Sequence, residues 1–136
     1  MYKTILYSIE NIDSVAKNIL SLNLKSKIYL LYGNMGAGKT TLIKSIVKVL
    51  GIDGIAKSPT FSIVNEYYNG DKIYHFDLYR IKDKSELIDI GIDEYVNGEN
   101  MCFIEWPDLV IDLLPEKYNI LTLDNISDKQ RKLTIK

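Results

Sequence analysis

The pattern of apolar and polar positions changes rhythm along the chain. Ile28-Tyr29-Leu30-Leu31-Tyr32 and Met101-Cys102-Phe103-Ile104 are unbroken apolar runs. Short runs of this kind belong to strands covered on both faces, as in a parallel sheet. Elsewhere the spacing is helical. Ile12, Val15, Ala16 and Ile19 follow i, i+3, i+4, i+7, with Asp13, Ser14, Lys17 and Asn18 left for water and Ser8 placed to cap. Leu42, Ile43, Ile46, Val47, Val49 and Leu50 form a wide apolar face opposite Thr41, Lys44, Ser45 and Lys48, and Gly51 stands where a helix C-terminal glycine belongs.

The remaining elements follow from turn chemistry. Residues 2–7 read as a first strand near a sheet edge, and residues 23–27 as a polar turn. After a loop over residues 52–57, Ser58-Pro59-Thr60 leads into a strand over residues 61–68. Asn69-Gly70 is a hairpin signal, with the returning strand at residues 72–77. A short helix over residues 85–90 stops at Gly91, and residues 92–96 add a further turn. A last short helix before Leu114-Pro115 precedes closing strands at residues 118–123 and 132–135.

Between the first apolar run and the helix after it lies Gly33-Asn34-Met35-Gly36-Ala37-Gly38-Lys39-Thr40. This is the phosphate-cradling pattern G-x-x-x-x-G-K-[ST], in the strand–loop–helix setting that its chemistry needs. The glycines let backbone N–H groups converge on phosphates at the positive end of the helix. Lys39 would bring a point charge to the β and γ phosphates, and the Thr40 hydroxyl would hold Mg²⁺. The expected fold is α/β: a three-layer P-loop NTPase domain, residues 1–136, with a mixed, centrally parallel sheet and an inserted antiparallel hairpin.

Composition narrows this picture. The net charge is -1, so bulk electrostatics do not suit the surface to nucleic acid. No apolar run approaches a membrane span, and the apolar part of the N-terminal stretch is too short for a secretory signal. Cys102 is the sole cysteine, which excludes an intrachain disulfide and, inside an apolar run, reads as a buried inert thiol. These features suit the cytosol.

A P-loop requires a further carboxylate near its metal, at the end of a neighbouring strand. Glu105 closes the strand from Met101, and Asp77 closes the strand from Ile73. We assign Glu105 to Mg²⁺, because its strand is the more apolar, and Asp77 to the attacking water. Thr60, held behind Pro59, is either a γ-phosphate sensor or part of an ordinary turn. His75, the only histidine, shares a face with Ile73 and Asp77 and is either a hydrogen-bond partner near the site or a structural residue. Arg80 reads as a contact to the partner or to the phosphates, or as a plain salt bridge. Trp106 reads as a core aromatic or an exposed anchor.

The motifs GNMGAGKTT (Gly33–Thr41), SPTF (Ser58–Phe61), HFDLYR (His75–Arg80), Glu86-Leu87 with Gly91, and IEW (Ile104–Trp106) occur in one order. That order closely resembles the bacterial TsaE family, also called YjeE, over about residues 8–115. The resemblance implies a small P-loop ATPase needed to make threonylcarbamoyladenosine in tRNA. It would act with the threonylcarbamoyl transferase TsaD and its paralogue TsaB, resetting that complex by ATP hydrolysis and meeting tRNA only through it. The implied cofactors are ATP and Mg²⁺, with Thr40 and Glu105 as metal positions. Lys39, Thr60, Asp77 and Glu105 would serve hydrolysis, and Asn34, Met35, Gly36, Ala37, Gly38, Lys39, Thr40 and Thr41 would contact the nucleotide. Residues near Ile9, and a C-terminal basic residue, Arg131 with Lys129 as rival, would also hold it.

Other nucleotide chemistries fit less well. Small-molecule kinases gather several arginines, and this chain has only Arg80 and Arg131. No Asn-Lys-x-Asp stretch is present for guanine. A binding module in which ATP only orders the Thr60 loop stands as the alternative from another class.

Overall fold

The computed structural model describes residues 3–22, 24, 26–52 and 63–136. Among these residues, seven strands form one sheet: β1 (Lys3–Ser8), β2 (Ile28–Tyr32), β3 (Val64–Tyr68), β4 (Lys72–Asp77), β5 (Met101–Glu105), β6 (Asn119–Asn125) and β7 (Gln130–Ile135), in the order β1-β7-β6-β2-β5-β4-β3. The pairs β6–β2, β2–β5 and β5–β4 are parallel, and the outer pairs are antiparallel. The sheet is therefore mixed with a parallel centre, and β1 lies at an edge.

Helices cover both faces, which explains the unbroken apolar runs. Tyr29, Leu31 and Phe103 pack with α1 (Ile12–Ser21) and α2 (Lys39–Val49). Ile28, Leu30, Cys102 and Ile104 point the other way, onto Leu87 of α3 (Lys84–Asp89) and Ile92 and Val96 of α4 (Ile92–Val96). Alternate residues of β2 and β5 thus enter separate cores, so neither strand can spare a polar position until its C-terminal end. Asp13 ties the helices of the first layer together, accepting from Ser45 Oγ at 2.5 Å and Lys48 Nζ at 3.0 Å. No described helix is long and apolar enough to cross a membrane.

Several local details depart from expectation. Ser8 makes no capping bond: it is paired with Gln130 as the last residue of β1, and a 3₁₀ turn at Ile9–Asn11 precedes α1. The hairpin turn holds three residues, because Tyr68 pairs with Lys72. Gly70 takes φ 103° there, and the Asn69 side chain accepts the Asp71 N–H at 3.0 Å. Gly51, at φ 90°, ends α2 as foreseen, with Gly51 N–H donating to Lys48 O and Ile52 N–H to Val47 O. The expected helix before Pro115 is instead a pair of 3₁₀ turns, Pro107–Leu109 and Ile111–Leu113. Val110 and Leu113 are three apart, so the tighter turn keeps Val110 fully buried and Leu113 against the core.

Candidate nucleotide site

The carboxyl ends of β2, β4 and β5 open at one end of the sheet, and the loop between β2 and α2 lies across them. Gly33 is required by its neighbour: a Cβ there would meet the Leu123 carbonyl oxygen at 2.8 Å. Gly38 begins α2 in the left-handed region at φ 96°, and α2 has no side-chain cap and no acidic residue in its first turn. Its free N–H groups and positive dipole end therefore face the cleft. The cleft is about 260 Å³, lined by Met35, Gly36 and Gly38 of the loop with Lys39, Thr40, Thr41, Asp77, Tyr79, Glu105 and Trp106.

Lys39 is buried beneath the loop. Its Nζ donates to Gly33 O at 2.5 Å and stands 3.4 Å from the centre of the Trp106 ring. Desolvation holds its ammonium below the ordinary lysine range, against the opposing pull of the Glu105 and Asp77 charges. Trp106 is the one described non-glycine residue at positive φ, 57°. That conformation costs about 1–3 kcal/mol in a non-glycine residue and turns the ring toward Lys39. Tyr79 lies against the Trp106 ring, with ring centres 5.0 Å apart.

Glu105 is 3% exposed yet well partnered. Thr40 Oγ1 lies 2.9 Å from each carboxylate oxygen, and His75 Nε2 lies 2.6 Å from Oε2. Asp77 pairs in register with Glu105 on the adjacent strand but is only half-buried; its Oδ1 accepts the Tyr79 N–H at 3.1 Å. The buried phenol of Tyr67 has its pKa raised by desolvation and, to a lesser degree, by the Glu105 charge. A hydroxyl beside a carboxylate is a hard oxygen pair of the kind that suits Mg²⁺, which is commonly held by one or two protein oxygens plus phosphate. No group of three or more acidic, histidine or cysteine ligands exists among the described residues.

A family model described as threonylcarbamoyl adenosine biosynthesis protein TsaE matches residues 6–133. The chain belongs to the TsaE family. Relatives named tRNA threonylcarbamoyladenosine biosynthesis protein TsaE agree with this. That of Bacillus subtilis is 37% identical over 92% of this chain and 78% of its own length. That of Haemophilus influenzae is 41% identical over 83% of this chain and 73% of its own. The crystal structure of Bacillus subtilis YdiB superposes with a TM-score of 0.76 at 29% identity, covering 99% of this chain and 86% of that one.

In this TsaE chain Met35, Gly36, Gly38, Lys39, Thr40, Thr41, Asp77 and Glu105 line one cleft, whereas Asn34 lines a neighbouring pocket with Trp106 and Asp124 and the Ala37 side chain is buried in the core. Met35 is 63% exposed at the mouth of the cleft. Ile9 and Arg131 lie at the same end of the sheet, outside the lining of that cleft. Arg131 Nη1 donates to Ser127 O at 2.9 Å and Gln130 O at 3.4 Å. Thr60 and the rest of the SPTF motif lie outside the described residues. Sequence reasoning left His75 undecided and gave no hint of the Lys39–Trp106 contact. The available signal was register: β4 and β5 are parallel and Asp77 pairs with Glu105, so His75 shares the Glu105 face.

Proposed function

We propose that this chain is a Mg²⁺-dependent ATP hydrolase serving threonylcarbamoyladenosine modification of tRNA. The observation that carries the reading is the Thr40–Glu105 pair, joined at 2.9 Å beside Lys39 at the uncapped start of α2. Backbone N–H groups from Asn34 to Thr40 receive the phosphates, and Thr41 completes the nucleotide contacts. Lys39 exchanges Gly33 O and the Trp106 ring for phosphate oxygens. Thr40 and Glu105 would hold Mg²⁺, which when bound would neutralise charge on the β and γ phosphates. Asp77, half-exposed and free of an ion pair among the described residues, orients the attacking water and accepts its proton. Thr60 responds to the γ-phosphate, and Ile9 with Arg131 contacts the remainder of the nucleotide.

The partners in this reading are a TsaD-like transferase and its TsaB-like paralogue, in the cytoplasm, with tRNA reached through the complex. Solitary turnover is slow. Of the two arginines, Arg131 is bound to the β6–β7 turn and Arg80 is exposed outside the lining of the cleft, so neither supplies transition-state charge unaided.

The test is Mg²⁺-dependent ATP hydrolysis by the purified protein, alone and with the cognate TsaD–TsaB pair, with Lys39→Ala as control. Stimulation that vanishes in Lys39→Ala supports the reading; unchanged activity with partners overturns the partnership. The competing reading, a nucleotide-dependent binding module, wins if Asp77→Ala abolishes hydrolysis while tRNA modification survives.

A further inference from the structure

We propose that His75 is a positioning residue for the metal carboxylate: its Nε2–H fixes Glu105 so that the carboxylate meets Mg²⁺ in one orientation. The inference rests on the metal reading of Thr40 and Glu105 given above, and it assigns a role to a residue outside the nucleotide motif.

Glu105 stands on the rigid end of β5, but its side chain can still rotate, and in a buried setting a carboxylate needs donors to stay charged. Thr40 supplies one hydrogen for two oxygens, each 2.9 Å away, and so does not choose between them. His75 does choose. Its Nε2 lies 2.6 Å from Oε2 alone, and both side chains are 4% exposed. With Oε2 engaged, Oε1 and the lone pairs of Thr40 Oγ1 remain for the metal or its water.

The direction of this hydrogen bond follows from the other ring nitrogen. Among the described residues, His75 Nδ1 is buried with no hydrogen-bond partner. A proton there would be an orphaned donor, whereas an unpaired acceptor is better tolerated. The proton therefore sits on Nε2 and is donated to Glu105. Were Nε2 the acceptor, Glu105 would have to carry the proton and lose the charge that attracts a cation. Outer partners of this kind commonly change metal affinity 10–100-fold.

The experiment measures binding of a non-hydrolysable ATP analogue with and without Mg²⁺, and takes the gain in affinity due to the metal as its readout. His75→Ala should cut that gain about tenfold or more while leaving the metal-free affinity unchanged. His75→Gln, which keeps an N–H donor at similar reach, should return it to within about threefold of the wild type. A gain intact in His75→Ala, an equal loss with and without Mg²⁺, or a Gln variant no better than Ala overturns the proposal. A gain abolished by Glu105→Gln but intact in His75→Ala overturns this inference alone; a gain that survives Glu105→Gln removes the metal reading and this inference with it. The chain has one histidine, so ring ¹⁵N resonances of the unsubstituted protein give a readout that needs no variant to fold. An Nε2–H proton whose ring signal shifts when Mg²⁺ joins the bound analogue is expected. An Nδ1–H tautomer, or a signal blind to Mg²⁺, overturns it.

Discussion

The ends of β4 and β5 carry carboxylates in register, Asp77 beside Glu105, on the same face of the sheet. Glu105 lies deeper, between β2 and β4, and is met by Thr40 and His75. Asp77 lies one strand further out, half-exposed, and accepts only the Tyr79 N–H among the described residues. The difference shows how one local pattern, an acid closing an apolar strand, acquires two environments. A buried, well-partnered carboxylate is fixed and suited to a metal. A half-exposed one with free lone pairs is suited to hold and deprotonate water.

Substitutions at the two ends test this division most severely. Glu105→Ala should lower Mg²⁺-dependent hydrolysis about a thousandfold and flatten the Mg²⁺ titration of the rate. Asp77→Asn should lower kcat about a hundredfold while leaving KM for Mg·ATP within about threefold. Steady-state kinetics separates them: a matching rise in KM in Asp77→Asn would make both acids metal ligands and erase the distinction.

The contrast extends along β5 to Cys102, an acid that burial leaves without a charged partner. Desolvation pushes its thiol up to about 12 from 9.0. Above pH 9 the unfolded chain releases this proton and the folded chain keeps it, so stability falls as pH rises and stops falling near pH 12. Between pH 8 and pH 10 the wild type should lose about 1.4 kcal/mol more unfolding free energy than Cys102→Ala, by urea titration at each pH. Equal losses would mean that the β5 interior admits water. Smallest is the effect expected beyond the end of β4. Asp83 accepts the Ser85 N–H at 3.1 Å, and Glu86 returns the bond to complete a capping box. Asp83→Ala should cost about 1 kcal/mol in the same titration with kcat unchanged. A change in kcat would show that α3 helps to set the position of Asp77.

Much of the fold was legible in the residues. The unbroken runs of β2 and β5, the helical face of α2 with Gly51 behind it, and Asn69-Gly70 located their elements, because burial and turn chemistry act over a few residues. The misread segments were decided from a distance. Ser8 is claimed by β7 as a strand residue before it can cap a helix. The chain after Trp106 tightens into 3₁₀ turns to seat Val110 in the core below. In the site, Gly33–Thr40 declared itself, since its glycines and lysine are fixed by local geometry. His75 and Trp106 did not, because their partners lie 30 residues and 67 residues away in the chain.

The sequence by itself determined the phosphate loop, the buried strands that flank it, the family motifs and the acids able to serve the site. Only the tertiary structure decided what each acid and aromatic touches. Strand order sets which neighbour reaches a side chain and how much water remains around it. Those two quantities, hydrogen-bond partners and desolvation, fix whether a carboxylate is held or free, whether a histidine donates, and where a lysine rests.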